Sequence, residues 1–347
     1  LGPAFHMRFK PGQVLYGSRR TYLRKVAVAD FEGICANTTF VLEPSSKDLL
    51  PEFLPLVMTT EAFHDHSIKQ SKGSVNPYIN FSDLTWYEFA LPPIDEQQRI
   101  VDVIGAVDQM VDARLLVRAK LEPLKRSVFS ASLRGDQGEQ SLAWGTVSSS
   151  VMVQCLGNLC TVTRGASPRP KGNPAYFARG STAHHWIMIS DVTRSKVGKV
   201  LTDTAEFLTD EGVTKSRKVS PGSLLLTNCA TVGVPVFSGV HGCIHDGFLL
   251  FEDLSPELNV DYLYRLFEFL TPWFRSSAQT GTQANLNTEI LRRLEVPMLP
   301  LSVQAEVVNR LDRIDEMSVS VDDSLDDLKR VRSALLGSLL VRGSHVQ

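Results

Sequence analysis

Leu91-Pro-Pro-Ile-Asp-Glu-Gln-Gln-Arg-Ile-Val101 decides the reading of this chain, because its pattern returns as Val296-Pro-Met-Leu-Pro-Leu-Ser-Val-Gln-Ala-Glu-Val-Val308. Each copy predicts a short apolar strand that ends in prolines, a cap residue (Asp95, Ser302) and then a long charged helix. The two helices end alike, in Leu133-Arg-Gly135 and Val341-Arg-Gly343. A repeat of this kind fixes the architecture before any finer reading.

The helices carry coiled-coil spacing. The first, over 96–134, places Ile100, Ile104, Val107, Val111, Val117, Leu121, Leu124 and Val128 on one stripe, with a three-residue skip around Arg114 that reads as a stammer. Pro123 predicts a kink. The second, over 303–342, shows Val307, Leu311, Ile314, Ser318, Val321, Leu325, Leu328, Arg332, Leu335 and Leu339 in heptad order. Matching Leu328-Lys-Arg330 to Leu124-Lys-Arg126 gives the second helix four extra residues before its terminal Gly. At 1.5 Å per residue each helix is about 58–60 Å long, too long for one domain of ~100 residues to cover. The helices therefore need each other and a partner chain.

The halves align beyond the helices. Pro11-Gly-Gln-Val-Leu15 falls on Pro221-Gly-Ser-Leu-Leu225, Gly33-Ile-Cys35 on Gly242-Cys-Ile244, Pro51-Glu52 on Pro256-Glu257, and Ile79-Asn80 on Leu286-Asn287. Residues 151–215 have no counterpart in the first half, and repeat arithmetic predicts about sixty residues before Leu1. Strands are expected at Gln13–Gly17, Lys25–Val28, Thr38–Leu42 and His185–Asp191, with a helix from Leu50 to His66. The expected organisation is a domain over 1–93 that lacks its N-terminal part, a helix over 94–135, a linker over 136–150 read from composition, a second domain over 151–300 and a second helix over 301–343.

Composition bounds the function. The 347 residues are 43% hydrophobic and 21% charged, with net charge −2. No membrane span and no signal peptide is read, so the expected location is cytoplasmic. Five cysteines, Cys35, Cys155, Cys160, Cys229 and Cys243, form no C-x-x-C pair and are expected to pack as buried apolar groups. The near-neutral sum hides a basic segment: 151–220 holds ten Lys and Arg against five acids. His64-Asp-His66 and His184-His185 lack a ligand set at metal spacing, so no metal is expected. No phosphate loop, nucleophile elbow or adenine-methylase motif occurs; Asn76-Pro-Tyr78 lacks that motif's second proline.

Recognition chemistry is better represented. Ser18-Arg-Arg-Thr-Tyr-Leu-Arg-Lys25 gathers Arg19, Arg20, Arg24 and Lys25 around Thr21 and Tyr22 between two strands. Such cations neutralise phosphate, and arginine also forks onto guanine. A solvated hairpin tip is the alternative. Thr227-Asn-Cys-Ala-Thr-Val-Gly-Val-Pro235 is the repeat-equivalent stretch and keeps Asn228 and Thr231 without the cations. The polar loop Gly281-Thr-Gln-Ala-Asn-Leu-Asn287 offers Thr282, Gln283 and Asn285, since amides read adenine bidentately; an ordinary Asx turn is its alternative. Lys72, Ser74 and Asn76 in the first half, and Arg164, Arg169 and Lys171 in the second, complete the candidate DNA-binding set.

Leu91-Pro-Pro-Ile-Asp-Glu-Gln-Gln-Arg-Ile100 resembles the hallmark "LPPL-x-EQ-x-x-I" of specificity (S) subunits of type I restriction–modification systems. Val117-Arg-Ala-Lys-Leu-Glu-Pro-Leu-Lys-Arg126, the Leu-Arg-Gly tail, Trp186-Ile-Met-Ile-Ser-Asp191 and Gly281–Asn287 support it. The resemblance implies an α+β fold, with two tandem target-recognition domains joined by two long antiparallel coiled-coil helices. It implies that each domain reads half of a split site on double-stranded DNA. It also implies that the helices dock two methyltransferase (M) subunits, which carry S-adenosylmethionine, and that restriction (R) subunits can join. The chain itself is then non-catalytic and holds no cofactor. Here the second copy keeps Gln304 but not the Glu-Gln pair. A protein-only coiled-coil scaffold and an autonomous enzyme are the competing readings.

Overall fold

A computed structural model describes residues 5–178, 184–194, 198–278 and 286–342. The chain divides into two compact units, Leu1–Lys120 with Ser318–Gln347, and Leu121–Met317.

In the first unit the strands are β1 (Phe5–Phe9), β2 (Val14–Gly17), β3 (Val26–Val28), β4 (Gly33–Ala36) and β5 (Thr39–Leu42), and the helices are α1 (Leu54–Met58), α2 (Glu61–Lys69), α3 (Phe81–Leu84) and the part up to Lys120 of α4 (Ile94–Ser132). β1 pairs with β4, and β3-β2-β5 form a three-stranded antiparallel sheet. Val14 and Tyr16 alternate inward from β2 onto Met58, Phe63, Ile79 and Leu84. A second apolar layer joins Phe53, Leu56 and Val57 to Ile100 and Ile104 of α4 and to Leu336. The single helix expected from Leu50 to His66 is two, because the Thr60 hydroxyl caps Phe63 N and starts α2 afresh. The strand expected up to Pro92 does not form, since 85–93 has no strand partner among the described residues.

In the second unit come β6 (Glu139–Leu142), β7 (Gly145–Ser148), β8 (Met152–Cys155), β9 (Thr161–Arg164), β10 (Phe177–Ala178), β11 (His184–Ile187), α5 (Ile189–Arg194), β12 (Val200–Leu201), β13 (Glu206–Leu208), α6 (Asp210–Val213), β14 (Arg217–Val219), β15 (Leu224–Thr227), β16 (Pro235–Ser238), β17 (Gly242–Ile244), β18 (Phe248–Glu252), α7 (Val260–Ala278), α8 (Thr288–Arg292), β19 (Glu295–Met298) and α9 (Leu301–Arg342). Two five-stranded sheets, β10-β13-β11-β17-β14 and β12-β16-β15-β18-β9, enclose the core with α7. The β14–β17 pair repeats β1–β4, and β16-β15-β18 repeats β3-β2-β5; residues 161–208 add the other strands. Both copies enter through the same Pro-Gly turn, with Gly12 at φ +86° and Gly222 at φ +87°, a conformation glycine adopts without strain. The strand expected over His185–Asp191 stops at Ile187, where α5 follows.

The stretch 136–150, expected as a linker, is instead the β6–β7 hairpin. Trp144 Nε1 donates to Glu295 O at 2.8 Å, and Gln140 Nε2 to Ser148 O and Val151 O at 3.0 and 2.6 Å, so long-range bonds order a segment whose composition is that of a loop.

Both long helices start two residues earlier than their expected caps allow. Pro93 and Pro300 accept the first intrahelical bonds, from Gln97 N and Gln304 N at 2.9 Å, which leaves Asp95 and Ser302 inside the first turn. The two glutamines are fully buried and make the same three bonds. Gln97 Nε2 donates to Pro92 O and Asp48 O, each at 2.7 Å, and its Oε1 accepts from Leu50 N at 2.9 Å. Gln304 Nε2 donates to Leu299 O and Glu257 O at 2.7 and 2.8 Å, and its Oε1 accepts from Asn259 N at 2.8 Å.

Within each unit a part of α4 lies antiparallel to a part of α9. In the first unit Arg332 forks onto Asp108, Arg118 Nε meets Asp322 at 2.9 Å and Arg114 Nε meets Ser324 at 3.3 Å. In the second, Lys125 Nζ meets Asp315 at 2.8 Å. The seam of α4 thus passes through Arg114 and Arg118, and Val117 and Leu124 stand exposed. With those arginines and Lys125 in place of Val117 and Leu124, the 4,3 spacing from Ile100 to Val128 is unbroken, and the expected stammer disappears. Lys125 is the repeat equivalent of Arg332, as Gln97 is of Gln304, and both intervals are equal. The four extra residues expected in the second helix came from aligning Leu124 to Leu328 and are not there.

Candidate nucleic-acid interface

In the first unit two loops meet. The β2–β3 loop holds a single 3₁₀ turn, Thr21–Leu23, flanked by Arg20 and Arg24, both at φ +52°. Non-glycine residues hold that conformation only when surroundings enforce it. Here Arg20 N donates to Pro77 O at 2.6 Å, and Arg24 forks onto Glu61 at 2.7 and 2.8 Å. That fork, more than any other neighbour, holds the Glu61 carboxyl below its usual range. The opposing loop is pinned by paired main-chain bonds between Lys72 and Tyr78 at 2.7 and 2.9 Å. Lys72 Nζ lies 3.1 Å from Asp83 and is the main reason that carboxyl is held low. Arg19, Arg20, Tyr22, Lys25, Lys72, Ser74, Asn76 and Tyr78 are all exposed. Thr21 is the exception. It is buried, 2% exposed, because the tight turn folds its side chain inward.

In the second unit the candidates gather around Asp246. Its carboxylate accepts from Ser167 Oγ at 2.7 Å and lies 3.0 Å from His245 Nε2 and 3.8 Å from Arg169. Its carbonyl accepts from Arg164 Nε at 2.7 Å and Asn228 Nδ2 at 3.2 Å. Burial works to raise the Asp246 carboxyl, but Ser167, His245 and the arginines outweigh it and hold it low. Burial likewise keeps the His245 imidazole towards its neutral form. Arg164, Arg169 and Lys171 are exposed. Asn228 is not the open amide expected; it is 2% exposed, tied between Asp246, Gly247 and Leu286. Thr231 is half-buried and its carbonyl accepts the Thr227 hydroxyl. Thr282, Gln283 and Asn285 lie outside the described residues.

Sequence reasoning missed Asn37, Tyr78, Ser167, His245 and Asp246. The repeat held part of the signal: carried four residues on, the match of Gly33 to Gly242 sets Asn37 on Asp246.

The histidines considered as ligands have other duties. His64 is buried, which keeps it neutral, and His66 Nε2 lies 2.8 Å from Asp83 O. Among the described residues no group of three or more His, Cys, Asp or Glu is placed to hold a metal ion. Cys160 and Cys243 are buried as expected, whereas Cys155 is exposed on β8.

A profile of the type I restriction modification DNA specificity domain matches two stretches, residues 7–119 and 149–323, which together make up most of the chain. The chain belongs to this family. Among curated members it is 29% identical over 135 residues to the EcoDI specificity subunit of Escherichia coli, covering 37% of this chain and 29% of that one. It is 28% identical over 129 residues to the HindI specificity subunit of Haemophilus influenzae, covering 35% and 28%. These two matches therefore span under a third of either relative. A longer match, 18% identical over 325 residues, joins 89% of this chain to 74% of the MjaVIII specificity subunit of Methanocaldococcus jannaschii. Solved structures share the fold. A type I restriction–modification assembly chain gives TM-score 0.67 at 20% identity, covering 98% of this chain and 84% of its own. The S subunit from Thermoanaerobacter tengcongensis gives 0.53 at 19% identity, with 98% and 83% covered. The family's α+β architecture of two tandem domains and two long antiparallel helices is thus the architecture of this chain. Among the described residues no helix is long and apolar enough to cross a membrane.

Proposed function

We propose that the protein is the DNA-reading subunit of a type I restriction–modification complex, with each unit contacting one half of a split site in double-stranded DNA. The observation that carries this reading is that each unit gathers exposed cations, Arg19, Arg20 and Lys25 beside exposed Tyr22 and Asn76 in one, and Arg164, Arg169 and Lys171, on a stretch the first unit does not repeat, in the other. Cations there neutralise phosphate, and neighbouring groups reach base edges. The chain is read as non-catalytic and without a cofactor of its own. S-adenosylmethionine belongs on two methyltransferase subunits docked on the helices, restriction subunits are a further partner, and the complex works in the cytoplasm. Support for docking comes from apolar side chains of α4 that the first unit leaves open: Met110, Leu115 and Leu116 are 48–59% exposed.

Binding to random duplex DNA across a salt series is the test. Wild-type affinity should fall steeply with salt, and Arg19→Ala with Arg20→Ala should flatten the log–log slope by about 2, one phosphate per arginine. Equal affinity and slope in the double variant would mean that the loop is only solvated. No salt-sensitive binding in the wild type would favour a protein-only scaffold.

A further inference from the structure

We infer that one position, set at the same address of a shared main-chain frame in each unit, selects the bases read, with Asn37 as selector in the first unit and Asp246 in the second. The inference rests on the DNA-reading function proposed above and names the side chains that would carry its specificity.

In the first unit a cavity of about 260 Å³ opens between three segments. Ser18 and Arg19 come from the β2–β3 loop, Asn37 and Thr38 from the β4–β5 turn, and Tyr78 and Asn80 from the stretch before α3. Main-chain bonds lock the three together: Ser18 N donates to Thr38 O at 2.9 Å, and Ile79 N to Ser18 O at 3.0 Å. The second unit repeats both bonds with other residues. Asn228 N donates to Gly247 O at 2.8 Å, and Leu286 N to Asn228 O at 2.9 Å. Strand register agrees, since Gly17 faces Thr39 as Thr227 faces Phe248. Asn228 thus stands where Ser18 does, and Asp246 where Asn37 does. The backbone frame is kept and the side chains are exchanged, as a shared reader with two specificities requires.

The chemistry of the two selectors differs. Asn37 is exposed and offers both a donor and an acceptor, beside the Arg19 fork. That pair suits the N7 edge of a purine, with adenine's amino group or guanine's O6 next to it. Asp246 can only accept, and it retains 34% exposure. The neighbouring Asn228 Oδ1 is buried with no hydrogen-bond partner, a further acceptor at the same address beside a carboxylate that Ser167 and His245 already engage on one oxygen. Two acceptors call for an amino group, on cytosine or adenine, and reject the oxygen edges of guanine and thymine. Ser167 and His245 hold the carboxylate in place, while Arg164, Arg169 and Lys171 surround it with positive charge for the backbone.

The experiment is selection from a random duplex pool with the purified full chain and two isosteric variants, Asn37→Asp and Asp246→Asn. Wild type should enrich a split motif. Each variant should change base preference about tenfold or more at one position of one half-site and leave the other half intact. Should either variant fail to fold, Asn37→Ser and Asp246→Glu carry the same comparison. Identical motifs from wild type and both variants would overturn the inference while leaving the DNA-reading function standing. Coupled changes in both half-sites would also overturn it. No enriched motif from the wild type would overturn both.

Discussion

Gln97 and Gln304 each satisfy two main-chain acceptors and one donor that are otherwise enclosed where a long helix leaves its globular part. Truncating either one strands these groups, at about 1–3 kcal/mol for each that water cannot reach. Gln97→Ala should therefore destabilise the first unit by about 2–4 kcal/mol, and Gln304→Ala the second by the same, read as faster amide hydrogen exchange confined to the affected unit. Equal exchange in both units would show that the clamps do not act locally. The repeated glutamine was legible in the sequence as a repeated letter. Its role was not, because its partners at 48–50 and 257–259 are about 45–50 residues away. Thr21 and Asn228 show the same limit from the other side. Their polar side chains suggest surface, and only the folded turn and the Asp246 neighbourhood bury them.

The heptad stripe of α9 was legible because apolar side chains mark it: Val307, Leu311, Ile314, Val321 and Leu325 are all buried. The middle of α4 was not, because arginines hold the seam there and Val117 looked like the better fit. Each helix pair is stapled by one equivalent ion pair, Arg332 with Asp108 and Lys125 with Asp315. The first is partly exposed, at 26% and 43%, so solvent screens it. A double-mutant cycle over Asp108→Ala and Arg332→Ala should give a coupling of about 0.5–1 kcal/mol. Lys125 is 14% exposed and also serves Glu268, beside the buried Arg265 with its Asp312 and Asp315 partners. Lys125→Ala should cost more than Arg332→Ala in the same urea unfolding series; the reverse order would mean that the surrounding network takes up the loss. The β6–β7 hairpin was hidden for a different reason. Its Gly, Ser and Gln composition is that of a linker, and its order comes from Trp144 and Gln140 reaching distant backbone.

Both helices run unbroken from one unit into the other, α4 across Lys120 and α9 across Met317. If each unit reads one half-site, their length sets the unread gap. One turn adds ~5.4 Å, equal to at most ~1–2 base pairs of duplex. Inserting four residues beside Leu325 and four beside Arg114, which meets Ser324, keeps both stripes near their faces, since four residues approximate a turn. The motif selected from a random duplex pool should keep both half-sites and gain ~1–2 unread base pairs between them. An unchanged gap would mean that the helices are not the ruler. The repeat and the two long helices were readable in the letters. The equal Gln97–Lys125 and Gln304–Arg332 intervals were not, because Leu-Lys-Arg recurs out of register and only Lys125 and Arg332, placed against their partners, reveal the true match.

The second unit is continuous in sequence, whereas the first is closed by residues from Ser318 onward. Leu336 completes the apolar layer of Phe53, Leu56, Ile100 and Ile104. On the ribosome, the half of the molecule made first is therefore finished last. At ~5–20 residues per second, that layer waits roughly 10–40 s for its lid while the second unit is built and folded. Nascent chains stalled before Ser318 should hold a protease-resistant second unit beside an open first one. The closing turns of α9 thus act as a latch set by chain order, because the layer of Phe53, Leu56, Ile100 and Ile104 receives Leu336 only after the second unit has been translated.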